Sequence, residues 1–373
     1  MLPDPPTASP KIIQQHSMQT RAKSGIHKPK QIFDLSAINT NGLTPSTFAQ
    51  ANKIPHWRAA MHEEFTALIR QGTWSLVPQP ANTPILGCRW TFKTKQLPNG
   101  SVDRYKARLV AQGFDQKLGV NYTETFSPVA KMPTFRVLLT LAIHRHWSIL
   151  QLDISNAFLH GDLTDTVYMR QPPGFIDTTR PQHVCKLQKS LYDLKQASRQ
   201  LFHKLTSLLQ QFGFRFSRSD PSLLILHRQN VHLYFLIYVD DILLTGNDPS
   251  TIQSLLHYLR SHFALKQLSN VSLFLGIQIL KTPSGYLLNQ HHYALKILQD
   301  AGLQDCSAAP IPITPSRSTL TADDQLFADP HLYRKIARAL QYLSITRPDI
   351  AFAANRICQH MHALTNCHFQ LLK

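Results

Sequence analysis

The chain is short of acid, of paired cysteines and of long apolar runs, and each shortage narrows what it can be. Asp and Glu number 22 against 39 Lys and Arg, a formal charge of +17. That excess favours polyanionic partners through counterion release; on charge alone a basic protein with no nucleic-acid role stays open. The five cysteines, Cys88, Cys185, Cys306, Cys358 and Cys367, are odd in number and scattered. No Cys-x-x-Cys pair and no zinc-knuckle spacing occurs, which argues against a disulfide framework and fits thiols packed as small hydrophobes in a reducing compartment. No run of eighteen apolar residues is present, so no membrane-spanning helix is expected. Pro3, Pro5 and Pro6 stand where a signal peptide needs an apolar core, so secretion is not expected. No internal repeat is visible.

What is present suits a large enzyme unit or two ordinary domains: 373 residues, 43% of them hydrophobic. Residues 1–45 are rich in Pro, Ser, Thr, Gln and Lys without an apolar period, and read as a disordered linker. Trp57, Met61, Phe65, Leu68 and Ile69 form a helical stripe ending at Gly72. Two extended runs flank Pro98-Asn99-Gly100, a strong hairpin signal, and carry Arg89, Lys93, Lys95, Arg104, Lys106 and Arg108. The spacing predicts a buried helix over Phe135–Ile143 and a strand at 148–154. It predicts a further helix after Lys195 that stops at Gly213, and a hairpin of Leu233–Val239 with Ile242–Gly246. Asp248-Pro249 opens another helix. Leu273–Leu280 and Tyr286–Leu288 read as a hairpin around Pro283-Ser284-Gly285, followed by a helix near 293–301. A Pro/Ser/Thr-rich connection covers 307–330, and two helices close the chain at about 331–344 and 348–362. Strands and helices without strict βαβ alternation argue for an α+β fold.

The sharpest local feature is Tyr238-Val239-Asp240-Asp241, two adjacent carboxylates between strongly apolar runs. Burying such charge is costly unless a partner compensates, and a divalent metal is the usual partner for paired Asp oxygens. A solvated hairpin turn explains the same residues equally well. Asp153, at the end of the apolar strand Gln151-Leu152-Asp153-Ile154, shifts the balance. If its strand lies beside the Asp240 hairpin, three carboxylates converge in a way that can hold two Mg²⁺ ions (or Mn²⁺) for in-line phosphoryl transfer.

From Trp57 almost to its end, the sequence resembles the reverse transcriptase region of copia-type retrotransposon Pol polyproteins. The resemblance rests on ordered motifs: 104–114 (RYKARLVAQGF), Thr125-Phe126-Ser127-Pro128-Val129, 151–161 (QLDISNAFLHG), Val167-Tyr168-Met169, Gln171-Pro172-Pro173-Gly174-Phe175, 238–246 (YVDDILLTG), Thr346-Arg347-Pro348-Asp349-Ile350 and Asn355. It implies an RNA-directed DNA polymerase with right-hand architecture. Fingers would span 46–132, a palm of antiparallel sheet backed by helices 133–275, thumb and linker 276–325, and a truncated connection segment 326–373. No Asp-Thr/Ser-Gly protease motif and no zinc site of an integrase is found, and no protease, integrase or RNase H domain is expected.

The resemblance also implies roles. Asp153, Asp240 and Asp241 would be the catalytic, metal-holding carboxylates, with the Ile154 carbonyl beside the first. Phe158 would be the aromatic gate under the incoming sugar. Lys93, Lys95, Lys106 and Arg108 would be candidates for gripping the triphosphate, Lys195 would pack over the nucleotide, and Lys266 is a weak candidate for protonating pyrophosphate. Phe274-Leu275-Gly276 would hold the primer end, with Gly permitting close backbone approach. Partners would be an RNA or DNA template with primer and deoxynucleoside triphosphates, with no membrane, in the cytoplasm (inside a virus-like particle) or the nucleus. Departures from the family pattern fall at Asp193 (Gly), Ser198 (Pro), Leu201 (Trp), Gln267 and Ser269 in the 266–269 motif, and Arg338 (Gly). A carboxylate at 193 would crowd the nucleotide, so a decayed copy is expected, and a non-catalytic nucleic-acid-binding remnant is the alternative. An unrelated two-metal nuclease fits the gate residue and basic hairpin less well.

Overall fold

The structure, a computed structural model, describes residues 44–97, 101–283, 285–307, 311–312 and 325–372. Most of the expected linker, the Pro98-Asn99-Gly100 turn, Ser284 and most of the 307–330 connection lie outside the described residues.

A short helix α1 (Phe48–Ala51) leads into α2 (Pro55–Arg70), where Pro55 occupies the first turn at no hydrogen-bond cost. The expected stripe buries Trp57, Met61 and Leu68, while Ile69 is exposed. Strands β1 (Trp74–Val77) and β2 (Ile85–Leu86) follow, then the basic hairpin β3 (Cys88–Gln96) and β4 (Val102–Ala111). Helix α3 (Met132–His144) buries Phe135, Leu138, Leu139 and Ala142 but leaves Val137 exposed, so it is amphipathic rather than buried all round.

Strand β5 (Ile149–Ile154) brings Asp153, and β6 (Tyr168–Met169) and β7 (Val184–Leu187) complete a four-stranded sheet ordered β1-β7-β6-β2. Helix α4 (Ala197–Phe212) stops at Gly213 as predicted, and Gly213 takes the left-handed conformation. Then come β8 (Arg215–Phe216), β9 (Leu223–Arg228), β10 (Val231–Tyr238), β11 (Asp241–Gly246), α5 (Pro249–Arg260) and β12 (Leu265–Asn270). Asp248 caps α5 by accepting from the Thr251 amide at 2.8 Å.

These strands form a six-stranded antiparallel sheet, β12-β5-β11-β10-β9-β8, and it positions the site. One face, with Leu152, Ile154, Phe235, Ile237, Ile242 and Leu244, packs on α4 and α5. The other face carries Ile149, Leu236 and Leu243 under α3. Strand alternation puts Asp153 and Asp241 on that second face, four and two residues along from Ile149 and Leu243.

The run 273–280 is not one strand, contrary to expectation. It breaks at Leu275 and Gly276, both with positive φ, giving β13 (Leu273–Phe274), β14 (Ile277–Thr282) and β15 (Gly285–Asn289). Positive φ at both central residues is the geometry of a tight two-residue hairpin. Helices α6 (His291–Ala301), α7 (Pro330–Leu343), α8 (Ala351–Gln359) and an unexpected α9 (Asn366–Leu372) pack around Tyr333, Ile336, Ile357 and Leu364. Among the described residues no helix is long and apolar enough to cross a membrane.

Candidate active site

The β10–β11 hairpin closes on the pair Tyr238–Asp241, leaving Val239 and Asp240 as its two turn residues. Val239 has φ +58°, rare for a β-branched side chain and costing about 1–3 kcal/mol. Asp241 is the direct antiparallel partner of Asp153 on β5. Such partners have Cα atoms about 4.5–5.5 Å apart and share a face. Asp240, Asp241 and Asp153 are all partly buried, which decides against a solvated turn.

The electrostatics agree. Burial raises the Asp241 carboxyl to about 6, helped by the charges of Asp240 and Asp153. Asp240 is also raised, first by burial and then by Asp153, against the opposing effect of its own backbone amide, Arg108 and Lys106. Among the described residues no ion pair reaches any of the three carboxylates. Nor is any group of three or more His, Cys, Asp or Glu already gathered closely enough to hold a metal ion. The register therefore supplies adjacent backbone positions, not a closed ligand cage. On the far side of Asp153, β12 sets the exposed Lys266 directly opposite it.

Phe158 lies on a single 3₁₀ turn (Ala157–His160) just past β5, partly buried where two cores meet. Its ring meets Tyr192 edge-on at 5.2 Å and 90°. The Arg108 guanidinium covers the same Tyr192 ring at 4.4 Å. Burial pushes the Tyr192 hydroxyl up to about 12; Arg108 opposes this, while Glu64, Asp240 and Asp153 add to it. Tyr192 thus links the expected gate, the basic hairpin and the carboxylates. No spacing rule in the sequence singles it out.

On the hairpin, Lys93 stands opposite Lys106 and Lys95 opposite Arg104. Like charges directly across a ladder are unfavourable, an arrangement suited to a polyanion. Lys106 is pushed down to about 8 by burial, then by Arg108 and Arg104. Behind the hairpin, burial raises the carboxyl of Glu64 of α2 despite the opposing effects of Arg108, the Leu109 amide and Lys106. Sequence gave no signal for Glu64 beyond its place on a helix.

Lys195 is engaged structurally. Its Nζ donates to the Gln116 carbonyl at 2.7 Å and lies 4.9 Å above the Tyr122 ring. Its amide donates to Gln116 Oε1 at 2.8 Å. Gln116 donates in turn to Gln196 Oε1 at 2.9 Å, and Gln196 to the Asn121 carbonyl at 2.9 Å. Gln116, Asn121 and Gln196 are all buried, so this network fixes the 112–122 loop against the start of α4.

Asp193 has φ +67°, so the position favours glycine for backbone reasons, independently of any nucleotide. Its carbonyl lies 1.9 Å from where a Cβ on Gly113 would stand, which forces glycine at 113 instead. The Asp193 carboxylate sits 3.7 Å from Arg89, and both side chains are largely exposed. Of the expected primer-holding residues, Phe274 is core: it is 1% exposed and stacks on Phe135 at 5.1 Å. Leu275 and Gly276 form the turn itself. Ile154 is buried at the end of β5, opposite Leu265.

Comparisons with known proteins bear on these features. Residues 71–315 match a family described as reverse transcriptase (RNA-dependent DNA polymerase). The retrovirus-related Pol polyprotein from transposon RE1 of Arabidopsis thaliana is 46% identical over 97% of this chain, and that from transposon RE2 is 43% identical over 100%. The Nicotiana tabacum polyprotein from transposon TNT 1-94 is 34% identical over 84%. The chain spans about a quarter of the length of these relatives: 25%, 26% and 24%. Among solved structures, a foamy viral protease-reverse transcriptase in complex with double-stranded DNA overlaps 84% of this chain and 46% of its own, at 13% identity. Its TM-score is 0.39, too low to define a shared fold.

Proposed function

The chain belongs to the reverse transcriptase family carried by copia-type retrotransposon Pol polyproteins, and from that premise we propose that it extends a primer 3′ hydroxyl by two-metal nucleotidyl transfer at Asp153, Asp240 and Asp241. The observation that carries the proposal is the register that makes Asp241 the direct partner of Asp153, with Asp240 beside it and no cation paired to any of them among the described residues. Three crowded, partly desolvated carboxylates are the donor set that a hard divalent cation compensates. Gathering their oxygens onto shared Mg²⁺ or Mn²⁺ ions requires side-chain rotation from adjacent backbone positions. Ions held there would supply charge neutralisation and a more acidic 3′ hydroxyl.

The remaining roles follow from position. Phe158, braced by Tyr192, presents a ring that leaves room for hydrogen but not hydroxyl at the sugar's 2′ position. Arg108 and Lys106, with Lys93 and Lys95 opposite on the hairpin, offer the triphosphate a concentrated positive face. Lys195 acts by holding the 112–122 loop. In this reading residues 46–132 serve as fingers, 133–275 as palm, 276–325 as thumb and linker, and 326–373 as the start of a connection segment. Work on a primed RNA or DNA template would take place in the cytoplasm, within a virus-like particle, or in the nucleus.

Primer extension tests this. The purified chain should add deoxynucleotides to a primed RNA template with Mg²⁺ and stop on chelation. Asp153→Asn should abolish addition while primed-template affinity changes by less than about threefold, since backbone contacts dominate binding. Equal extension by both proteins would overturn the assignment of Asp153. Silence from both, with binding intact, would favour the non-catalytic remnant.

A further inference from the structure

The turn at Leu275 and Gly276 is strained and is held from outside. Leu275 has φ +53°, a conformation that costs a non-glycine residue about 1–2 kcal/mol and persists only where neighbours impose it. The hairpin closure calls for that conformation, and a neighbour on α7 holds it in place. The Tyr342 hydroxyl donates a hydrogen bond to the Leu275 carbonyl. Its ring is fixed edge-on against Tyr293 at 5.2 Å and 85°. Burial, followed by Tyr293 and Tyr238, keeps that hydroxyl protonated by raising it to about 12. The segment just beyond is tied at two further points. The Ile345 carbonyl accepts from Arg136 of α3, and Thr346 Oγ1 donates to Gln290 Oε1 at 2.9 Å. On the other side, Phe274 and Leu275 pack in the same core as Leu236, Leu243 and Tyr238 of the carboxylate hairpin. Tyr342 therefore bridges the closing helices and the turn, and the turn shares a core with the hairpin that carries Asp241.

We propose that Tyr342 is a positioning residue: its hydroxyl fixes the Leu275–Gly276 turn, and with it a primer 3′ end, relative to the Asp240 hairpin. The inference rests on the polymerase reading above. It also gives the closing helices a part in activity, although Tyr342 lies outside the 71–315 match.

The test is Tyr342→Phe in the full chain, which removes one hydroxyl and keeps the ring contact with Tyr293. Amide hydrogen exchange in peptides covering 273–280 should quicken several-fold, with melting lowered by no more than about 2 °C. Nucleotide addition at saturating triphosphate should slow about fivefold, the loss expected for one hydrogen bond, with KM for the triphosphate unchanged. Thr346→Val, which cuts the neighbouring tie to Gln290, should leave both readouts at wild-type values. Unchanged exchange at 273–280, or an addition rate within twofold of wild type, overturns the proposal. A wild-type chain that adds no nucleotide sinks the polymerase reading and the primer half of this inference, while exchange still decides whether Tyr342 holds the turn.

Discussion

Asp241 should destabilise the metal-free fold at neutral pH, and Asp241→Asn should relieve that cost. The Asp241 carboxyl is raised to about 6 from an ordinary 3.8. A carboxyl raised by folding favours the folded state while protonated. That contribution is complete below about 3.8 and is lost as pH rises through about 6. The full difference corresponds to about 3 kcal/mol, but the side chain is partly open to solvent, and screening brings the expected cost to about 1–2 kcal/mol. Asparagine keeps the shape and does not ionise. Melting curves of wild type and Asp241→Asn should therefore coincide near pH 4 and diverge above it. By pH 7.5 the variant should melt about 1–3 °C higher. Adding Mg²⁺ at pH 7.5 should raise the wild-type melting temperature and close the gap, because an ion that binds only the folded state stabilises it by mass action. A variant that melts at or below wild type at pH 7.5, or a gap that ignores pH, would refute the reasoning.

Phe158→Val should open the sugar side of the pocket and reduce discrimination against ribonucleotides by about tenfold or more, read as the ratio of kcat/KM values for the two triphosphates; unchanged discrimination would remove Phe158 from the gate. Gln196→Ala removes the 2.9 Å bonds to Gln116 and the Asn121 carbonyl, leaves only the longer 3.4 Å bond between those two, and should cost about 1–3 kcal/mol in urea unfolding; a neutral result would show that the network does not hold the loop. Asp193→Gly relieves a left-handed backbone at the loss of an exposed 3.7 Å pair with Arg89, so stability should stay within about 1 kcal/mol of wild type. If Asp193 is the lesion of a decayed copy, the same change raises primer extension, and an unaltered rate moves the lesion elsewhere.

Much of the fold was legible because its signals are local. The Gly213 stop, the Asp248 cap with Pro249 behind it, and the strand-turn-strand of 233–246 depend on backbone and capping rules that act over a few residues. The strands β8, β9 and β12 were not legible. β8 has only two residues, β9 opens on the unbroken apolar run 223–226 that shows no alternation, and β12 carries a bulge between Gln267 and Ser269 that breaks the alternation a strand is recognised by. The break at Leu275 was hidden because a leucine with positive φ leaves no compositional trace and is imposed by tertiary contact.

The site divides in the same way. The three carboxylates showed in sequence as charge inside apolar strands, and their adjacency awaited the β5–β11 register. Tyr192 and Glu64 showed nothing, because an aromatic under a guanidinium and a buried acid behind a hairpin are defined only by what surrounds them. Asp193 was noticed in sequence for crowding a nucleotide; its positive φ adds a backbone reason for glycine there that the sequence did not show.

The claim on which everything else depends is that Asp153, Asp240 and Asp241 together make a divalent-cation site. Electron paramagnetic resonance of Mn²⁺ titrated into the full chain, with and without Asp153→Asn and Asp241→Asn, tests it even in a copy that turns over slowly. Wild type should bind Mn²⁺ saturably, and binding should weaken at least about tenfold in either variant while both remain folded. Equal Mn²⁺ binding by wild type and both variants would contradict it.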